Sequence, residues 1–181
     1  LPPEGVQVID PNKAFQITWM LKGVTKRGTA KALKDFKYEI AGKTGTTNDN
    51  MDAWFLGLSP ELAVGVYVGY DTPRDLGDGE TGGKVALPIF SEFMNTALKN
   101  KERRPFLVPE GVEMVKIDYK TGSITRNESK NTIYEAFLKG YSKKSEKDPK
   151  EKKFLKRLEG GLYWYHDWDR PWYRRDFINA G

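Results

Sequence analysis

The stretch Tyr38-Glu39-Ile40-Ala41-Gly42-Lys43-Thr44-Gly45-Thr46-Thr47 decides the fold of this chain. An apolar lead-in runs into a lysine, a glycine and three threonines. A polar turn, Asn48-Asp49-Asn50, separates it from a second apolar run, Ala53-Trp54-Phe55-Leu56-Gly57-Leu58. The pattern predicts strand, turn and returning strand, with a cation and hydroxyls displayed along the first. Such a strand suits an anion. Lysine supplies a compact charge, the threonines supply donors, and glycine at position 45 leaves out a side chain that would block close approach.

Outward from that strand, Asp10-Pro11 reads as an N-cap followed by proline in a first helical turn, after an extended lead-in over Leu1 to Ile9. Ala14, Ile17, Leu21 and Val24 recur at helical spacing, so a helix from about Pro11 to Val24 is predicted, with this stripe packed on the sheet. Strands are predicted over Tyr38 to Thr46, Asp52 to Leu58 and Leu62 to Tyr70, the last two joined at Ser59-Pro60-Glu61. Short turns imply an antiparallel meander. Ala63, Gly65 and Gly69 suggest a face closely covered by a helix. Asp71 to Gly83 is a polar, glycine-rich loop. Leu87, Phe90, Phe93-Met94 and Ala97-Leu98 then repeat at three and four, an amphipathic helix with Pro88 in its first turn. Lys101 to Pro105 is a charged hinge. Val115 to Asp118 and Ser123 to Arg126 are predicted to form a hairpin across Tyr119 to Gly122. Asp148-Pro149-Lys150-Glu151 opens a short basic helix ending at Gly160-Gly161.

The fold class expected is α+β, an antiparallel sheet flanked by helices with a small hairpin extension. The 181 residues hold no cysteine, which excludes disulfides and thiolate chemistry. No run is long and apolar enough to span a bilayer. The net charge is +5, and Lys139 to Gly181 alone carries 12 Lys+Arg against 7 Asp+Glu, so the basicity belongs to the tail. The body is neutral overall and its chemistry implies no nucleic acid.

Lys43-Thr44-Gly45-Thr46 on a strand resembles the third signature of penicillin-binding proteins and serine β-lactamases. With its flanks, Ile40 to Thr47 followed by Asp52-Ala53-Trp54-Phe55, and with Lys26-Arg27-Gly28-Thr29-Ala30 ahead of it, the sequence resembles the transpeptidase domain of bifunctional (class A) penicillin-binding proteins. The resemblance runs from about Val8 to about Phe137, the last part of such a domain. It implies a serine D,D-transpeptidase that cross-links peptidoglycan stem peptides and binds β-lactams, needs neither metal nor organic cofactor, and works at the outer face of the cytoplasmic membrane, on the periplasmic side. Members usually carry an N-terminal membrane anchor. The implied roles are residue-specific. Lys43 supplies positive potential near the nucleophile, while Thr44, Gly45, Thr46 and Thr47 line the substrate's terminal carboxylate. The backbone N–H of Thr46 is one of two oxyanion donors. Expected boundaries are residues 1–104 for the domain portion, 105–138 for the hairpin extension and 139–181 for the tail.

The nucleophile motif of that family, Ser-x-x-Lys, is absent: no serine here is followed by lysine three residues later. Ser129-Lys130-Asn131 matches the family's Ser-x-Asn in letters but follows Lys-Thr-Gly, whereas in the family it precedes it. The acylated serine, its lysine and the Ser-x-Asn partner are therefore expected in an upstream part of the same domain, and the chain by itself is expected to be inactive.

Four other motifs yield to plainer readings. Gly42-Lys43-Thr44 is no phosphate loop, since Lys37 stands where that motif needs glycine and a strand follows in place of a helix. Gly77-Asp78-Gly79-Glu80-Thr81-Gly82 spells G-x-G-x-x-G, but its carboxylates would repel a pyrophosphate and the βαβ setting is missing, so it reads as a flexible loop rimming the cleft. Lys120-Thr121-Gly122 is a second Lys-Thr-Gly at a hairpin tip. His166 stands alone, without a nucleophile pattern or metal-ligand companions. In the tail, Trp164, Trp168 and Trp172 follow a basic stretch from Lys143 to Arg157, which suits an anionic membrane surface or a partner, or equally an aromatic end folded back on the body. The competing functional classes are a serine β-lactamase-like hydrolase, disfavoured by the hairpin and by Asp52 to Phe55, and a non-catalytic scaffold module.

Overall fold

The computed structural model describes residues 6–142. The tail motifs, His166 and the expected basic helix lie outside the described residues. Within them, helix α1 (Pro11–Arg27) starts where the cap is predicted. The Asp10 carboxylate accepts the N–H groups of Asn12 and Lys13, both at 3.1 Å. Strands β1 (Ala41–Thr46), β2 (Ala53–Leu58) and β3 (Ala63–Val68) form an antiparallel meander in that order, with β1 at one edge. Its register pairs Lys43 with Leu56 and Leu56 with Gly65. Tyr38 to Ile40 leads into β1 without joining the ladder, so the first strand is shorter than predicted. Both turns obey local chemistry. Asp49 and Asn50 take the positive φ angles that Asx residues tolerate, and Ser59 Oγ accepts the N–H groups of Glu61 and Leu62.

One sheet face carries the core. Phe55 from β2 meets Phe90 from helix α2 (Ala86–Ala97) edge-on at 4.6 Å between ring centroids. Leu87, Met94 and Leu98 pack beside them with Val24, Leu33, Tyr38 and Ile40. Helix and strand approach closely enough here that a Cβ on Gly57 would lie 2.5 Å from the Phe90 ring. The end of α1 is tied to the strand lead-in by the buried Thr25 hydroxyl, which lies 2.8 Å from the Ile40 carbonyl.

Three packing expectations need correction. Of the predicted α1 stripe only Val24 is buried; Ile17 is 56% exposed, because the helix turns Phe15 and Trp19 toward a second layer instead. Phe93 is exposed on α2, one position off the buried set Leu87, Phe90 and Met94. On β3, α2 covers Val64 and Val66, while the small residues Ala63 and Gly65 lie on the opposite, open face.

The second layer is a hairpin, but not the predicted one. Strand β4 (Val112–Asp118) pairs along its whole length with β5 (Thr132–Leu138), from Val112↔Leu138 to Asp118↔Thr132. The predicted partner, Ser123 to Arg126, keeps only a bridge between Ile117 and Ile124. Lys120-Thr121-Gly122 forms the turn, with Gly122 at φ +70 and the Asp118 carboxylate accepting two N–H groups. The hairpin docks on α1. Phe15, Val112 and Ala136 are buried together, Trp19 donates its indole N–H to the Tyr134 carbonyl at 2.8 Å, and Arg27 pairs with Glu135 at 2.7 Å. Burial nonetheless raises the Glu135 carboxyl above its ordinary value, outweighing the pull of Arg27.

Candidate functional site

Strand β1 has a partner only on one side, and its backbone direction follows from one bond. The N–H of Thr47 donates to the Asp52 carbonyl at 3.1 Å, one pair beyond Thr46↔Ala53. In an antiparallel ladder, successive residues turn N–H and C=O alternately toward and away from the partner. Thr47, Gly45 and Lys43 therefore address β2. Gly42, Thr44 and Thr46 turn their N–H and C=O groups to the strand-free edge.

The side chains gather at that same edge. Lys43 curls around it, its Nζ donating to the Thr44 carbonyl at 2.8 Å and lying 3.4 Å from Thr44 Oγ1. Among the described residues no carboxylate pairs with this ammonium. Partial burial lowers its pKa from the usual lysine value, since no counter-charge offsets the lost hydration. Thr44 Oγ1 lies 2.8 Å from Thr29 Oγ1. Thr46 Oγ1 accepts the Gly82 N–H at 3.1 Å, which leaves its own proton free to donate. Thr47 Oγ1 is used differently. It accepts the Asp52 N–H at 2.8 Å and closes the β1–β2 turn.

The structure thus brings Lys43, Thr44 and Thr46 to one edge, whereas the Thr47 hydroxyl serves the turn. Gly45 has a structural neighbour of its own. A Cβ there would sit 3.1 Å from Trp54 Cβ, on the open sheet face, so glycine at this position answers cross-strand crowding. Two contributors escaped the sequence reading. Thr29 sits in Lys26 to Ala30, a stretch noted for its position alone. Gly82 belongs to the glycine-rich loop, which is docked: Leu76 N–H donates to the Asn50 carbonyl, and Gly82 is buried on the strand pair. A Cβ on Gly82 would fall 2.2 Å from the Trp54 carbonyl and 2.4 Å from that of Gly45. The clustering of glycines carried the signal, but not which glycine touches the sheet.

The arrangement is an anion-receptive edge: an uncompensated ammonium, two hydroxyls and outward backbone N–H groups. Among the described residues no cluster of ligating side chains could hold a metal. No described helix is long and apolar enough to cross a membrane. Ser129 and Asn131 bond within their own loop, through the Asn131 N–H to Ser129 Oγ at 3.1 Å.

The chain is similar to known proteins in sequence and fold. The family model for the penicillin binding protein transpeptidase domain matches residues 1–95. Penicillin-binding protein 1A of Rickettsia conorii is 46% identical over 138 residues, covering 76% of this chain and 17% of that protein. Its counterpart from Neisseria gonorrhoeae is 42% identical over 107 residues, 59% of this chain and 13% of that protein. Among solved structures, penicillin-binding protein 1A from Haemophilus influenzae superposes with a TM-score of 0.64 at 34% identity, covering 74% of this chain and 21% of that one. The chain therefore spans 17% or less of these curated relatives.

Proposed function

The chain belongs to the penicillin-binding protein transpeptidase family, and from that membership we propose that it forms one wall of a peptidoglycan D,D-transpeptidase active site. In this reading a serine supplied by an upstream part of the same domain attacks the peptide bond between the two terminal D-alanines of a stem peptide. D-Alanine leaves, and the amine of a neighbouring stem resolves the acyl-enzyme. β-Lactams acylate the same serine because they imitate the donor. Lys43 holds positive potential beside the nucleophile, and Thr44 and Thr46 donate to the terminal carboxylate. The N–H of Thr46 stabilises the oxyanion. Thr47 and Gly45 shape the strand end. The reaction takes place at the outer face of the cytoplasmic membrane and uses no cofactor. Residues 1–104 act as the domain portion, 105–138 as its hairpin extension and 139–181 as a tail.

The observation that carries this reading is the coincidence, on one strand-free edge, of a Lys43 ammonium that no carboxylate among the described residues pairs, the free proton of Thr46 and the outward N–H of the same residue. The opposite sheet face supports a missing neighbour. Leu56 and Tyr67 are 58% and 50% exposed there, and the Trp54 ring lies tilted against Tyr67 at 4.7 Å between centroids, an apolar surface that the upstream half would cover. Acylation of the complete domain by a fluorescent penicillin tests the proposal. Lys43→Ala is expected to slow it by about 100-fold or more, the scale of a lost electrostatic contact to developing charge. An unchanged rate would favour a scaffold role.

A further inference from the structure

We propose that Thr29 is a positioning residue for carboxylate recognition, acting through the hydroxyl of Thr44; this rests on the reading of Thr44 as a carboxylate contact. Thr29 is held by a tight exit from α1. Gly28 and Ala30 both donate their N–H groups to the Val24 carbonyl, at 3.0 and 3.3 Å. A Cβ on Gly28 would come within 2.9 Å of Val24 Cα, so the chain passes over the helix end in a path that only glycine allows. Ala30 is fully buried on the other side. Between these two anchors the Thr29 side chain reaches out to β1, and its Oγ1 stops 2.8 Å from Thr44 Oγ1.

Proton bookkeeping gives this contact a direction. The Lys43 ammonium only donates, and it addresses the Thr44 carbonyl and, at 3.4 Å, its hydroxyl oxygen. A carboxylate at the edge only accepts. Thr44 has one proton to give, and it reaches the carboxylate only if Thr44 accepts from Thr29. Thr29 therefore donates to Thr44 and Thr44 donates to the ligand, a chain in which each bond polarises the next. With Thr29 lacking a hydroxyl, Thr44 loses the partner that orients it, and its rotor is no longer held toward the edge.

The test compares acylation of the complete domain by a penicillin and by the same penicillin as its carboxyl methyl ester. The ratio of the two efficiencies reads carboxylate recognition alone, and the fraction of folded protein cancels because both are measured on one preparation. Thr29→Val and Thr29→Ala are expected to lower that ratio by about 3- to 10-fold, the scale of one hydrogen bond, while Thr29→Ser keeps it. Thr44→Val serves as the reference and is expected to lower it at least as far. If Thr44→Val lowers the ratio and neither Thr29 variant does, Thr29 has no such role and the proposal is overturned. A ratio unmoved by Thr44→Val would instead remove the reading of Thr44 on which the proposal stands.

Discussion

At the scale of single residues, the chemistry turns on groups left without partners and on places left without side chains. Lys43 is the clearest case of the first. It gives up hydration without gaining a counter-ion among the described residues, so its pKa falls. The ammonium is present below its folded-state pKa and lost as pH rises through it. Because that pKa lies below the ordinary value of a lysine, the alkaline fall in acylation should begin below the ordinary lysine range. Lys43→Arg, which stays charged to about pH 12 or beyond, should move that limb upward; a pH–rate profile with the limb unmoved would dissociate it from Lys43. Gly82 is the clearest case of the second. Gly82→Ala would drive a Cβ against two carbonyl oxygens of the strand pair. Urea denaturation should show a loss of about 1–3 kcal/mol, the usual cost of overpacking, with slower acylation because the displaced loop carries the backbone N–H of residue 82 away from the Thr46 hydroxyl.

Among the elements, those with strong local signals were legible and those defined by distant partners were not. Asp10-Pro11 announces α1 because the cap and the fixed proline φ act within one turn. The β1–β2–β3 meander is legible because Asn48 to Asn50 and Ser59 mark its turns and Phe55 alternates with exposed Trp54 and Leu56. Which face of α1 is buried was misjudged. Period alone chose Ile17 and Leu21, whereas Phe15 and Trp19 meet a hairpin that begins about a hundred residues later in sequence. The same limit hid β5: the turn at Thr121-Gly122 favours the nearest apolar run, and only the full register shows that Thr132–Leu138 offers seven paired residues where Ser123 to Arg126 offers one bridge. At the centre of the first layer, Phe90→Ala should cost about 3–5 kcal/mol in urea denaturation, since the ring is fully buried against Phe55. Phe93→Ala, three residues along and half exposed, should cost within about 0.5 kcal/mol. Equal losses would refute the assignment of the α2 inner face.

For the molecule as a whole, an edge that carries the Lys43 ammonium and the Thr44 and Thr46 hydroxyls stands beside an apolar sheet face that nothing described here covers. The edge was largely readable beforehand, because Lys-Thr-Gly-Thr and its flanks lie in one continuous stretch. Thr29 and Gly82 were not, because they reach it from 15 and 36 residues away through single hydrogen bonds. Under the proposed function the labour is divided: this chain offers the receiving edge, and the attacking serine belongs to other polypeptide of the same domain. Mass spectrometry of the penicillin-treated complete domain, with the adduct located by peptide mapping, tests it most directly. That division predicts a single acyl adduct on a serine outside residues 1–181. An adduct on Ser59, Ser129 or any other residue of this sequence would contradict it.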